Sequence, residues 1–209
     1  MARSTREAIL TATAELLRRK GYAAVGMKEI AEASGAPIGS LYHHFRGGKV
    51  QMAREALTNA GVAYGLLIPT IVDAYSDLGA AVEGVFAQAA ADMAGTGFAN
   101  MCPVASVSAE VAGTVEELRE VSAQVFTGWV DGGTAYFVAR GLDEARARQV
   151  TVALVAALEG AFLLARVLRN TEPLDAAGAA LAPQYRGIAL AAPAGDGRVS
   201  LPGIVAADG

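Results

Sequence analysis

With 209 residues, 53% of them apolar and 18% charged, the chain is long enough for one large domain or a small domain joined to a larger one, and apolar enough to fill a sizeable core. A single cysteine, Cys102, excludes an internal disulfide framework and suits a reducing cytoplasm. The net charge of −4 hides a split: residues 1–54 carry nine Lys/Arg against four acids, net +5, and the rest carry eight against seventeen, net −9. A basic head on an acidic body predicts that one end meets a polyanion.

The opening residues, MARSTREAIL, read as the start of a polar-faced helix rather than as a secretion signal. Ser4 and Glu7 have capping-box spacing, and Ile9, Leu10, Ala12, Leu16 and Leu17 form an apolar stripe behind them. Gly21 ends this first helix after Arg18-Arg19-Lys20, cations that suit a helix C-terminus. A second, short helix is predicted over about 27–34, with Ile30 and Ala31 inward and Gly35 as its stop. A third is predicted over about 37–45, with Pro37 in its first turn, where proline is tolerated. Two short helices joined by a glycine turn and packed on a longer one make a helix-turn-helix arrangement.

After Gly47-Gly48 a long helix is predicted over about 49–67, ahead of Pro69. Further helices are predicted at roughly 72–94, 103–112, 115–140, 143–169 and 174–191. No segment shows sustained two-residue alternation with β-branched enrichment, so the expected fold is all-α: a helix-turn-helix domain over 1–48 and a larger helical domain over 49–192. The tail, residues 193–209, is rich in Gly, Pro and Ala and is expected to be disordered.

Residues 150–168, VTVALVAALEGAFLLARVL, approach the length of a membrane span. Glu159 near the middle, the many alanines and the lack of flanking basic or aromatic belts favour instead a helix buried all round in a soluble core or a dimer. Gly160 and the alanines permit close helix approach. With helix 174–191 this segment is expected to form a four-helix bundle across a two-fold axis, giving a homodimer with no membrane attachment.

Both histidines of the chain fall in GAPIGSLYHHF, residues 35–45. With Leu41 facing inward and about 100° per residue, Phe45 also faces the core, and His43 points outward beside Ser40, with Tyr42 and His44 flanking it. Such a face, carrying a hydroxyl, a phenol and two imidazoles, suits base edges and phosphates in a DNA major groove. Adjacent histidines diverge too far to chelate one metal as an i, i+4 pair does. No carboxylate in this helix could orient either as a general base and no Ser-His-Asp or Cys-His pattern surrounds them, so neither metal binding nor catalysis is expected here, and no cofactor is implied.

The stretch AILTATAELLRRKGYAAVGMKEIAEASGAPIGSLYHHFRGGKVQM resembles the N-terminal domain of the TetR family of bacterial transcriptional regulators. The marks are Gly21-Tyr22, Ile30-Ala31, Gly35, Gly39-Ser40-Leu41-Tyr42, His44-Phe45 and Lys49, in order and spacing over about 50 residues. The small-residue helices that follow, with MCPVASVSAE and VALVAALEGAFLLARV, are similar to the LmrA-like branch. The resemblance implies that Ser40, Tyr42, His43 and His44 face DNA and that Lys49 contacts a phosphate. Lys28, opening the second helix, is a further backbone-contact candidate, or else a solvated helix-end lysine. Two stretches depart from the family pattern: Val25-Gly26, where many members have a Thr-Ser cap, and Ala36-Pro37-Ile38, where polar or basic residues usually open the third helix. No base contact is carried over to 36–38.

The resemblance further implies a cytoplasmic, homodimeric regulator, a repressor released from a palindromic double-stranded operator by a small ligand. The ligand is expected to be largely apolar, with candidate lining residues Phe86, Met93, Phe98, Met101, Cys102, Phe126, Trp129 and Phe162. Each of these also suits an ordinary core position. Two other classes stay open: a helical small-molecule binding protein whose DNA domain is vestigial, and a helical enzyme. The enzyme is disfavoured because the sequence offers no paired carboxylates, nucleophile–base set or phosphate loop.

Overall fold

A computed structural model describes residues 4–99 and 101–192. The tail expected to be disordered lies outside the described residues. Among them the structure is almost entirely helical: α1 Thr5–Lys20, α2 Met27–Ser34, α3 Ile38–His44, α4 Gly48–Val72, α5 Leu78–Gly95, α6 Pro103–Val111, α7 Glu116–Ala139, α8 Glu144–Leu168, α9 Glu172–Leu181 and a 3₁₀ turn Ala182–Tyr185.

Two compact units divide the chain. The first holds residues 4–62 with 102–126, the second 63–99, 101 and 127–192. Compactness therefore does not divide the chain at residue 48: the first part of α4, α6 and the start of α7 all pack with the three N-terminal helices.

In the first unit the capping box of α1 is fully formed. Ser4 Oγ accepts from the Glu7 amide at 3.2 Å, and the Ser4 amide donates to Glu7 Oε2 at 2.8 Å. Gly21 leaves α1 with φ +77° and extended ψ, a conformation essentially reserved for glycine, while its N–H still bonds the Leu17 carbonyl. Gly35 closes α2 in the left-handed region. Ile9 and Leu17 on α1, Ile30 on α2, Leu41 on α3, Phe45 just after it, and Met52 and Leu57 on α4 are fully buried.

Three expected boundaries move. Helix α4 does not stop before Pro69 but runs on to Val72. A proline removes only its own bond to the carbonyl four residues back, here Gly65, and the flanking turns compensate. The Thr70 hydroxyl donates to Leu66 O at 2.9 Å, and the Asp73 amide to Pro69 O at 2.8 Å. Consequently α5 starts at Leu78, six residues later than expected, capped by Asp77, whose Oδ1 accepts from the Ala80 amide.

The third change is at the far end. The helix expected over 174–191 stops at Leu181, and after the 3₁₀ turn Gly187 (φ +78°) redirects the chain. Ala189 then forms an isolated antiparallel bridge with Asp77, and the Leu190 amide bonds Ser76 O at 2.9 Å. Arg140, only 3% exposed, secures this segment. Its Nη1 donates to Asp73 and to the Tyr136 hydroxyl at 2.6 Å each, its Nη2 to Tyr75 O at 3.1 Å, and its Nε to Ala191 O. A buried guanidinium needs partners, and here backbone carbonyls supply two of them, which ties the segment after Gly187 to residues 73–76.

The core of the second unit is built from α5, α7, α8, α9 and the 3₁₀ turn, around Leu78, Phe86, Met93, Phe137, Leu154, Leu158 and Leu174. Glycines let its helices approach: a Cβ at Gly178 would lie 2.9 Å from Phe86 Cβ, and one at Gly133 would lie 2.5 Å from the Thr151 methyl. Both α4 and α8 match a membrane span in length and composition. The Leu154, Leu158, Ala161 and Ala165 side of α8, however, is buried in this core. Within the protomer only this side of α8 is buried. Its opposite face is open, with Val152, Leu163, Leu164, Val167 (71% exposed) and Leu168 at the surface and Gly160 among them. One stripe of an apolar helix suffices for the protomer's own core, and the other is left over.

Candidate nucleic-acid interface

The first unit places the outward face of α3 by fixing its inward one. Leu41 and Phe45 are fully buried, which turns Tyr42 and His43 to solvent and leaves Ser40 and His44 half-buried beside them. The His43 and His44 rings meet edge to face with centroids 5.1 Å apart, and His44 stands 6.4 Å from the Phe45 ring. Lys28 is exposed in the first turn of α2.

A polar chain behind α3 holds it in place. Arg6 on α1 pairs with buried Glu55 on α4 at 2.6 Å, and its guanidinium lies 5.3 Å over the Phe45 ring. Gln51 Nε2 donates to Glu55 Oε1 at 3.0 Å, while Gln51 Oε1 accepts from the Gly47 amide at 2.8 Å, in the turn that ends α3. The turn that ends α3 is thus tied to both α1 and α4.

Lys49 is not a free cation at a helix end. It is half-buried, with Nζ 4.1 Å over the centroid of the Tyr22 ring, a cation–π arrangement. Burial lowers its pKa, and nearby Glu110 works against that shift. The Tyr22 hydroxyl is pushed up, first by burial and then by Glu110 and Glu117. Glu110, on α6, reaches the turn between α1 and α2 and accepts from the Tyr22 amide at 2.6 Å and the Ala23 amide at 2.5 Å. A Cβ at Gly21 would lie 2.6 Å from the Glu110 carboxylate, so a side chain there would have to displace that carboxylate as well as adopt a positive φ.

The eight candidate ligand residues fall in both units. Phe86, Met93, Phe98 and Phe162 share the core of the second unit, the first two buried and the others partly so. Met101 is buried, and Trp129 is half-buried with its ring 6.5 Å from that of Tyr64 in the same unit. Cys102, buried just ahead of α6, and half-buried Phe126 belong to the first unit. Arg6, Gln51, Glu55 and Glu110 were not singled out from the sequence. Arg6 and Glu55 are 49 positions apart and Glu110 lies 88 from Tyr22, so no local spacing could signal them.

Comparison with known proteins agrees with this geometry. Residues 9–56 match the family model of bacterial regulatory proteins of the tetR family, and residues 79–180 match that of the transcriptional regulator LmrA/YxaF-like C-terminal domain. An uncharacterized HTH-type transcriptional regulator of Mycobacterium tuberculosis is 34% identical over 175 residues, covering 81% of this chain and 88% of the relative. The HTH-type transcriptional regulator LmrA of Bacillus subtilis is 31% identical over 170 residues, covering 81% and 90%. The chain belongs to the TetR family. Its C-terminal part is of the LmrA/YxaF-like kind. The fold is also that of the regulatory protein TetR from Rhodobacter sphaeroides, with a TM-score of 0.74 at 22% identity over 87% of this chain and 98% of that one. A TetR-family regulator from Agrobacterium tumefaciens gives 0.73 at 19% identity, covering 88% and 98%.

The position of Lys49 generates a test. If its ammonium reaches a phosphate while resting on Tyr22, Lys49→Ala will weaken binding to operator and random DNA about equally. It will also flatten the log affinity against log salt slope by about 1 for each phosphate no longer neutralised. Titrations across a salt series measure both. A variant that changes sequence preference and leaves the slope intact contradicts the assignment.

Proposed function

We propose that the protein is a cytoplasmic, homodimeric repressor that binds a palindromic operator and is released by a small, largely apolar ligand. The observation that carries the reading is the outward set on α3: Tyr42 and His43 stand in solvent on a helix whose inner residues, Leu41 and Phe45, are fully buried, within a strongly basic N-terminal segment. In this reading Ser40, Tyr42, His43 and His44 meet base edges and phosphates, and Lys49 and Lys28 hold the backbone. Two copies of α3 would enter successive major grooves about 34–36 Å apart.

The open apolar face of α8 supports the dimer. Val152, Ala156, Gly160, Leu163, Leu164 and Val167 recur at three- and four-residue intervals, and α9 adds exposed Ala176, Ala179 and Ala180. Pairing α8 and α9 with their copies across a two-fold axis would cover both faces in a four-helix bundle. The apolar character of the second unit supports the ligand's chemistry, and α4, which belongs partly to each unit, is the element through which occupancy would change the spacing of the two α3 helices. A ligand shifts that balance only by its difference in affinity for the two conformers.

Two outcomes follow. Tyr42→Ala and His43→Ala should each lower affinity for an operator selected from random DNA by about tenfold to a hundredfold, with helical content unchanged, because neither side chain supports the core. Unchanged affinity in both would remove α3 from recognition. Sedimentation should show a dimer at micromolar concentration. Gly160→Leu, where an added Cβ meets nothing within its own protomer, should leave folding intact and weaken the dimer. A wild-type monomer would overturn the two-fold arrangement.

A further inference from the structure

Among the described residues of the first unit, two large apolar side chains remain exposed, Ile38 at 43% and Tyr42 at 56%. They are four positions apart on α3, so they rise as neighbours on the same outward ridge. Tyr42 has a hydroxyl to satisfy in water or on a partner, whereas Ile38 has no polar atom at all. Its two chain neighbours do not shield it. Pro37 before it is exposed, and Gly39 after it has no side chain and open space around the position where a Cβ would stand.

The surroundings say what would cover this side chain. The ridge is continuous with Ser40, Tyr42 and His43, and it lies in the segment of net charge +5, which favours a polyanion over an apolar protein surface. In the DNA major groove the one apolar feature on a base edge is the thymine 5-methyl group. Isoleucine can neither donate nor accept a hydrogen bond, so the discrimination open to it is contact with that methyl. We propose that Ile38 reads a thymine methyl in each operator half-site, with Gly39 leaving room for the backbone to come close.

This inference rests on the DNA-reading role of α3 and deepens it by naming a base feature and the residue that selects it. It also accounts for Ala36-Pro37-Ile38 in place of polar or basic residues: the start of α3 would read by shape and methyl contact, and its middle by hydrogen bonds.

The test uses the full chain and an operator recovered from random DNA, with each thymine replaced in turn by deoxyuridine, which lacks only the methyl. Wild-type protein should lose about fourfold in affinity at one position per half-site, the worth of one buried methyl, and about fifteenfold when both half-sites are changed. Ile38→Ala should bind the thymine operator more weakly by a similar factor and no longer distinguish thymine from deoxyuridine at that position. Its fold should stay intact, since the side chain is largely outside the core, and its salt slope should not change, since the side chain is uncharged. A selected half-site without thymine, no deoxyuridine penalty at any position, or a penalty that survives in Ile38→Ala would each overturn the assignment alone. A wild-type protein that enriches no sequence would overturn the DNA-reading role itself, and this proposal with it.

Discussion

The outward face of α3 depends on two side chains that point away from it. Helix α3 has seven residues, far short of the roughly 12–15 at which an isolated helix becomes even marginally stable in water. Its conformation and orientation are therefore imposed by the burial of Leu41 and Phe45, worth about 1.5–3 kcal/mol each. With those two directions fixed, helical geometry leaves no freedom in where Ile38, Tyr42 and His43 project. The Arg6–Glu55–Gln51–Gly47 chain adds a polar constraint on the same turn, and the Arg6 guanidinium over Phe45 joins the two. The outward face of α3 is thus held from behind by both apolar and polar contacts.

The second unit shows the same economy with a different residue. One stripe of α8 fills the core against α5 and α9, while the other, equally apolar, stays open around Gly160. Arg140 gathers Asp73, Tyr75, Tyr136 and Ala191, so the C-terminal end of α4, the start of α5 and the end of the described chain share one buried guanidinium. Whatever moves α4 has to reckon with that anchor.

Much of this was legible from residue order alone. The first three helices could be placed because their signals are local: a capping box at Ser4, glycines at Gly21 and Gly35, and a short apolar repeat through Leu41 and Phe45. The ends of α4 and α9 were not. Proline in a last turn is decided by whether neighbouring bonds compensate, and the stop at Leu181 is decided by carbonyls and amides contributed from residues 76–78 and 140. The Glu110 contact was hidden for the same reason, since a carboxylate on α6 gives no hint in sequence that it will meet the amides of Tyr22 and Ala23. Apolar periodicity marked α8 as a packed helix, but it could not tell which stripe serves the protomer and which is left uncovered.

The central claim is that the outward face of α3 enters the major groove in two copies. Methylation interference on the selected operator tests it most directly, because guanine N7 lies in the major groove and adenine N3 in the minor. The account predicts that N7 methylation blocks binding in two clusters about 10–10.5 base pairs apart, centre to centre, while N3 methylation leaves those positions unaffected. Interference confined to adenine N3, or a single cluster of N7 positions with no partner one helical turn away, would contradict it.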